Sequence, residues 1–246
     1  LIDELYLNGF AVIAINSYPI GFTPDEASFG YDAYSILKTG RDQWGESLPL
    51  VFRSFGDYKM PIYTYLAVPS VAIFGLNQFA VRLPNAIIGT LGVVVVYLLT
   101  LELFLQQKAK RRWMFGIVAA FLLAISPWHV SLSRGAFEAN LTTFFLPLGV
   151  WAFLRGIDKP RWMIIASCVF GLNLFSYHSA RFLTPFAVLL LLWWKKKELL
   201  VGTTLRSIIL KHRWAVGVFC LLVFIAFYTI LAGGGRRGAD VIISNP

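Results

Sequence analysis

Most of the side chains that could do chemistry in this chain lie in one polar stretch, residues 22–61. An adjacent acidic pair, Asp25 and Glu26, directly follows the first apolar run, and Asp57 and Lys59 come just before the next one. Carboxylates and a lysine beside a bilayer are costly unless they face water or a ligand. A carboxylate there could act as a general base, and a lysine could bind phosphate. The stretch therefore predicts a reactive polar site at one membrane face.

Later connections between apolar runs add further candidates of the same types. They are Arg82 at the start of one run, His129, Arg134 and Glu138 in residues 126–140, and His178 and Arg181 in residues 177–181. Arginine suits phosphate because its planar fork donates charge-assisted hydrogen bonds. Together these acids and bases could hold an amphiphilic ligand with an anionic head.

Each candidate also has a structural interpretation that the sequence leaves open. TPDE resembles a capping sequence, so Glu26 could start a helix over residues 27–39. Arg82 could simply reach the membrane interface, and Arg134 and Glu138 have the i,i+4 spacing of a helical ion pair. Beside Trp128, a histidine could be an interfacial anchor, and the aspartate of FGDY could be a turn residue. Convergence on one membrane face favours the functional interpretation.

Composition predicts an all-α polytopic membrane protein. Of the 246 residues, 57% are hydrophobic and 14% charged, with a mean hydropathy of +0.67, whereas soluble domains carry about 25% charged residues. The net charge of +9 comes from basic residues in short loops, which is typical of cytoplasmic loops and does not indicate nucleic-acid binding. Cys168 and Cys220 lie inside apolar runs and predict neither a metal site nor a disulfide.

Seven membrane spans are predicted, with the N-terminus inside. They cover residues 5–22, 82–105, 113–128, 141–154, 162–177, 182–194 and 214–231. The basic connections 106–112, 155–161 and 195–213 should all be cytoplasmic. They lie on that one side of the membrane only if residues 62–76 do not cross it. That run is therefore expected to be a juxtamembrane helix on the outer face. The chain then forms one module over residues 1–246, with a first outer loop at 23–81 and a further one starting at 233–246, and we expect it to be a fragment of a longer protein.

The order of several motifs resembles the GT-C glycosyltransferases. They are PDE at 24–26, DYKMP at 57–61, FGLNQFAVRLPNAIIG at 74–89, SPWHVSLSRGAFEANLTTFF at 126–145 and YHSARFLTP at 177–185. The nearest branch contains the protein O-mannosyltransferases and the lipid A aminoarabinose transferases. The resemblance spans nearly the whole chain, although DYKMP has a methionine where many relatives carry a second proline.

The resemblance implies a polyprenyl-monophosphate sugar donor and transfer on the extracytoplasmic face of the plasma (inner) membrane. Asp25 matches the position of the catalytic acid, and Glu26 is its neighbour. Lys59 matches the basic position beside the donor phosphate, Arg82 matches the arginine that opens the second span, and Glu138 is a looser match to a second acidic position.

These observations predict an inverting glycosyltransferase. Asp25 would deprotonate an acceptor hydroxyl of a lipid, protein or glycan. Lys59 and Arg82, helped by Arg134 or Arg181, would stabilise the leaving phosphate. An acceptor or metal site could involve Asp57, His129, Glu138 and His178. A divalent metal could assist but is not required.

Two other classes of membrane protein stay open. A transporter or flippase for lipid-linked sugars would need charged residues deep within its spans, and the chain has few. A non-catalytic membrane subunit would need no cluster of acids and bases.

Overall fold

The structure is a computed structural model, and it describes Ile15 and residues 21–55, 57–200 and 205–232. The predicted outer segment 233–246 lies outside the described residues, and the first predicted span, 5–22, lies almost wholly outside them.

The described residues form eleven helices and one β-hairpin. The helices are α1 Pro24–Thr39, α2 Pro61–Phe74, α3 Gln78–Leu103, α4 Ala109–Ala124, α5 Pro127–Arg134, α6 Ala139–Gly156, α7 Pro160–Asn173, α8 Ala180–Trp194, α9 Lys196–Leu200, α10 Leu205–Lys211 and α11 Arg213–Ala232. The strands β1 Phe52–Ser54 and β2 Asp57–Lys59 stand between α1 and α2.

Helix α1 begins in the way the capping interpretation predicted. The Thr23 hydroxyl accepts a hydrogen bond from the amide of Glu26 at 3.2 Å, and the Glu26 carboxylate accepts one from the amide of Thr23 at 2.9 Å. Pro24 occupies the first turn, and Gly40 ends the helix in the left-handed region at φ 71°. The capping box is therefore confirmed, and it anchors the first turn that carries Asp25.

The hairpin was not predicted from the sequence. Its strands are antiparallel, with Phe52 opposite Lys59 and Ser54 opposite Asp57. Phe52 is fully buried and packs against the ring of Tyr65 at 5.6 Å. The hairpin carries Lys59 on a strand that is tied to the protein interior, and Asp57 closes the turn.

Every apolar run that the structure describes contains a helix, but few of these helices are long and apolar enough to cross a membrane. By length and composition, α3 could cross a membrane alone, since its 26 residues extend about 39 Å. Helices α4 and α5, which meet at a bend of 59°, are long and apolar enough to cross only when taken together as one broken span. The other described helices are not long and apolar enough, so the seven-span arrangement is not shown.

Two local features were not predicted from the sequence. The basic connection 195–213 contains the short helices α9 and α10. Arg134 and Glu138 do not share a helix, because α5 ends at Arg134 and Gly135 is extended before α6 begins. Their i,i+4 spacing therefore does not place them on one helical face.

Helix α3 is the central element of the fold. It packs against α2, α4, α5 and α6, while α7 packs between α6 and α11. One apolar cluster, which includes Phe29, Tyr63, Val81 and Leu141, joins the starts of α1, α2, α3 and α6. This cluster packs together the starts of the four helices, which lie next to the predicted site residues Asp25, Lys59 and Glu138.

Candidate active site

A cleft of about 330 Å³ opens among the start of α1, the hairpin, the start of α6 and the turn before α8. Five of the ten predicted site residues line it: Asp25, Asp57, Lys59, Glu138 and His178. They come from four separate parts of the sequence, and the structure brings them together at one end of the helix bundle.

Lys59 is the cationic centre of this cleft. Its Nζ lies 2.8 Å from Oδ1 of Asp25 and 3.6 Å from Oδ2 of Asp57. The lysine side chain is 9% exposed, whereas that of Asp25 is 59% exposed. Burial alone would lower the pKa of Lys59, but the hydrogen bond and charge of Asp25, with the charges of Glu138 and Asp57, raise it above 10.5. The amine is therefore charged at neutral pH.

The backbone on both sides of Lys59 is held by side chains from distant elements. A carboxylate oxygen of Glu138 accepts a hydrogen bond from the amide of Met60 at 3.1 Å, inside the protein. On the other side, Nε2 of His178 donates to the carbonyl oxygen of Tyr58 at 2.8 Å. Because both contacts are to peptide groups next to Lys59, they orient its side chain without occupying its amine.

Asp25 is placed in the first turn of α1, where backbone amides point outward and favour a negative charge. Its exposed carboxylate faces the cleft and makes the ion pair with Lys59. The arrangement leaves a carboxylate accessible to an incoming hydroxyl, next to a cation that is suited to a phosphate.

Glu26 points the opposite way, into the protein. Its Oε1 lies 2.6 Å from Nε of Arg82 and its Oε2 lies 2.9 Å from an outer guanidinium nitrogen. Oε1 also accepts a hydrogen bond from the amide of Ala136 at 3.0 Å. Burial alone would raise the pKa of Glu26, but the bonds from Arg82, Thr23 and Ala136 hold it below 4.5.

Arg82 is fully buried and does not line the cleft. Besides the two bonds to Glu26, its guanidinium donates to the carbonyl oxygens of Ile15 at 2.8 Å and Gly21 at 2.6 Å. The sequence led us to expect this arginine at the donor phosphate. The structure instead gives it an internal bidentate ion pair, because helix α3 turns this side chain towards the base of α1.

Three other predicted residues also lie away from the cleft. Nε2 of His129 is 2.9 Å from the carbonyl oxygen of Gly89 on α3. An outer nitrogen of Arg181 donates to the hydroxyl of Thr229 on α11 at 2.9 Å. Arg134 is buried at the end of α5. The side chains of His129 and Arg181 point towards neighbouring helices, an orientation that loop position alone does not reveal.

Two buried asparagines, Asn85 and Asn140, stabilise the turn next to the cleft, and the sequence reasoning missed both. The amide nitrogen of Asn85 donates to the carbonyl oxygens of Leu132 at 2.6 Å and Gly135 at 2.5 Å. Asn140 donates to the side-chain oxygen of Asn85 at 3.0 Å. These bonds hold the turn between α5 and α6, which carries Glu138. Asparagines inside apolar runs were the available sequence signal, because amides that become fully buried there need hydrogen-bond partners.

Asp32, on the inner face of α1, is a third residue that the sequence reasoning missed. It is buried and accepts hydrogen bonds from the backbone amide and side-chain amide of Gln43, both at 3.1 Å. Burial, together with the nearby charge of Asp42, raises the pKa of Asp32 to about 6. It ties the segment between α1 and the hairpin to α1 and lies outside the cleft lining.

No group of three or more His, Cys, Asp or Glu side chains is arranged to hold a metal ion among the described residues. Lys59 is the charged group of the cleft best placed to meet an anion, with the three carboxylates of Asp25, Asp57 and Glu138 around it.

Known proteins match most of this chain. The sequence model of the dolichyl-phosphate-mannose-protein mannosyltransferase family matches residues 58–231. The protein named "Putative mannosyltransferase YkcB" of Bacillus subtilis (strain 168) is 30% identical over 117 residues, which are 47% of this chain and 15% of that protein. "Putative mannosyltransferase YycA" of the same strain is 26% identical over 169 residues, which are 65% of this chain and 24% of that protein.

The matches thus span less than a quarter of the length of either relative. No solved structure matches the chain.

Proposed function

The chain belongs to the dolichyl-phosphate-mannose-protein mannosyltransferase family, and on that premise we propose that it transfers a sugar from a polyprenyl-monophosphate donor to an acceptor. The resemblance to GT-C glycosyltransferases is confirmed by the family match, and members of this family are membrane proteins. The donor class, the inversion and the extracytoplasmic face of the plasma membrane are parts of the proposal.

One observation carries the proposal: Lys59 is held 2.8 Å from Asp25 in an open cleft. The peptide groups on both sides of this buried lysine are held by hydrogen bonds, so its ammonium group is a preorganised cation. Such a group stabilises charge that develops during a reaction. The phosphate of the donor would take the place of Asp25 beside the amine, and this would release the carboxylate towards the acceptor.

The reaction then needs few groups. Asp25 would take the proton from the acceptor hydroxyl, and the oxygen would attack the anomeric carbon from the side opposite the phosphate. The bond from the anomeric carbon to the phosphate oxygen breaks, which inverts the configuration and leaves a polyprenyl phosphate. Lys59 would neutralise the charge that this phosphate gains. The acceptor could be a lipid, a protein or a glycan.

We assign the remaining residues according to where they lie. Glu138 and His178 would position Lys59 through its neighbouring peptide groups. Glu26 and Arg82 would position the start of α1, and with it Asp25. Arg134 and Arg181 are not included in the phosphate site, because neither lines the cleft.

The membrane arrangement proposed here has seven spans with the N-terminus inside, and with α1, the hairpin and α2 on the outer face. It is supported by basic connections on a single side. Labelling of single cysteines introduced at Lys110 or Lys196 should occur only from the cytoplasm, and at Gly45 only from outside. External labelling at either lysine position would overturn the arrangement.

Transfer of a labelled sugar from a synthetic polyprenyl-phosphate donor, measured with the full-length protein, tests the function. Asp25→Asn should lower the turnover number by about 10²–10⁴-fold, while Glu46→Gln, an exposed carboxylate of the same outer loop, should leave it unchanged. Near-normal transfer by Asp25→Asn to a hydroxyl acceptor would remove the general base from the proposal. The sugar itself can be identified by mass spectrometry of lipid-linked sugars that accumulate in a deletion strain.

A further inference from the structure

A second pocket lies at the end of α6 opposite the cleft. Glu138 and Ala139, at the start of α6, line the cleft, whereas Ile157 and Asp158, just beyond its end, line the second pocket. The 18 residues of α6 extend about 27 Å, which is close to the thickness of about 30 Å of a bilayer's hydrocarbon core. In the membrane arrangement proposed above, the second pocket therefore lies at the cytoplasmic face.

One half of this pocket is polar and carries charges of both signs. It has a volume of about 400 Å³, and its lining includes Asp158, Glu198, Ser207, Lys211 and His212. Glu198 also forms an ion pair of 2.7 Å with Lys195, which does not line the pocket. A lining with two carboxylates and an ammonium group fits a ligand that has both a cation and an anion better than one that has an anion alone.

The other half is an apolar cavity of about 450 Å³. It lies among the helices α6, α7, α8 and α11, and Phe170, Leu189 and Val216 are among the residues that line it. It shares Leu199, Ile208 and His212 with the polar half, so the two halves adjoin at these side chains. Leu189 and Val216 are also exposed on the outside of the helices, so the cavity is open to the hydrocarbon side.

His212 stands where the two halves meet, and it has one unused polar atom. The side chain is 6% exposed, and its Nδ1 is buried with no hydrogen-bond partner among the described residues. A buried polar atom of this kind is unfavourable unless a ligand or water satisfies it. Burial, with the charge of Lys211 beside it, lowers the pKa of His212 below 6.5, so the neutral ring can donate or accept a hydrogen bond.

We propose that this combined pocket binds one phospholipid with a phosphoethanolamine headgroup. The lipid phosphate would contact Lys211 and His212, the primary ammonium would contact Asp158 with Glu198, and one acyl chain would enter the apolar cavity. The match is one of charge: Lys211 can meet the phosphate and Asp158 can meet the ammonium, whereas a polyprenyl phosphate or an anionic phospholipid brings no cation to Asp158. The site is separate from the cleft that would hold the sugar donor.

Native mass spectrometry of the full-length protein, titrated with defined lipids in detergent, tests this proposal. Phosphatidylethanolamine should bind one to one and more tightly than phosphatidylcholine, whose quaternary ammonium cannot donate hydrogen bonds, or phosphatidylglycerol, which has no cation. Asp158→Asn should weaken phosphatidylethanolamine binding by about tenfold, the usual cost of losing one charge-assisted hydrogen bond, and should abolish the preference over phosphatidylglycerol.

Arg111→Ala is the matched control, because it removes an exposed charge from a different basic connection and should change nothing. Equal or tighter binding of phosphatidylglycerol would overturn the proposal, as would unchanged binding to Asp158→Asn. Competition by a polyprenyl phosphate for the same site would also overturn it, since the pocket would then belong to the donor.

A second measurement needs no variant. Phosphatidylethanolamine with a photoreactive group near the end of one acyl chain should label the unaltered protein on α7 and α11, around Phe170 and Phe219. Labelling confined to other helices would refute the site.

The proposal rests on the membrane placement suggested above, but not on sugar transfer. Asp25→Asn should therefore lose transfer and keep lipid binding. If it also lost its preference for phosphatidylethanolamine, the two sites would not be independent and the separate lipid site would be wrong.

Discussion

Replacing Arg82 with methionine should destabilise the protein strongly, because the arginine is half of a buried ion pair. Its guanidinium makes two bonds to Glu26, at 2.6 and 2.9 Å, and the two side chains are 0% and 1% exposed. Removing one partner of such a pair leaves a buried charge uncompensated and costs about 3–5 kcal/mol. Glu26 would keep its bonds from Thr23 and Ala136, so we expect a loss near the lower end, about 3 kcal/mol.

A double-mutant cycle separates the ion pair from other effects of the substitution. Adding Glu26→Gln to Arg82→Met removes the stranded charge and keeps the size of the side chain, while its single oxygen still accepts a hydrogen bond from one of the two amides. The double variant should therefore be more stable than Arg82→Met alone. We expect a coupling energy of about 1–3 kcal/mol between the two positions, as is usual for residues in direct contact.

The assay follows unfolding in denaturant and donor binding on the same purified full-length protein. If Arg82 only positions α1, donor affinity should return along with stability in the double variant. If Arg82 binds the donor phosphate, as its sequence position indicated, affinity should stay at least tenfold reduced even where stability returns. Simple additivity of the two unfolding free energies would refute the buried ion pair.

Four further predictions follow from the same geometry. Lys59→Met should weaken donor binding at least tenfold, with a stability change smaller than that of Arg82→Met, and unchanged affinity would contradict the phosphate role. Glu138→Ala should lower kcat/KM by about tenfold through loss of the Met60 contact, whereas Glu138→Gln, which can still accept that bond, should lose less; equal losses would contradict the positioning role. Asp25→Asn should bind donor normally in an equilibrium assay while turnover falls. The pKa of Asp32 rises from 3.8 to about 6 on folding, so the folded chain binds more protons than the unfolded chain between those pH values. The free energy of unfolding should therefore fall by up to roughly 3 kcal/mol from pH 4 to 7. Asp32→Asn should flatten this pH dependence in denaturation curves, and an unchanged dependence would refute the burial effect.

Hydrophobic runs and a capping sequence were sufficient to predict most of the helices. Both are local signals: TPDE specifies its own hydrogen bonds within four residues, and α1 begins there as expected. The hairpin was missed because strands of three residues have no detectable alternation, and their pairing depends on burial of Phe52 against Tyr65. The helices α9 and α10 were missed because five and seven residues are too few to show a helical repeat of apolar positions.

The composition of the cleft was harder to predict, because it depends on the direction in which each side chain leaves its helix. Arg82, Arg134 and Arg181 were all assigned to the outer face from their positions next to polar connections. The structure directs Arg82 to Glu26 and Arg181 to Thr229, and neither partner lies near its arginine in the sequence. A helix rotation of one residue, about 100°, decides between a ligand contact and an internal bond.

The same rotation explains how one acidic pair can serve two purposes. Asp25 and Glu26 are consecutive in the first turn of α1, so their side chains leave the helix about 100° apart. The side chain of Glu26 points inward and forms a fully buried ion pair with Arg82. The side chain of Asp25 points outward and forms an ion pair with Lys59. Because both belong to one rigid turn, the internal ion pair determines where the outer carboxylate stands. Arg82 can therefore matter for sugar transfer without touching the donor, and this is the distinction that the double-mutant cycle measures.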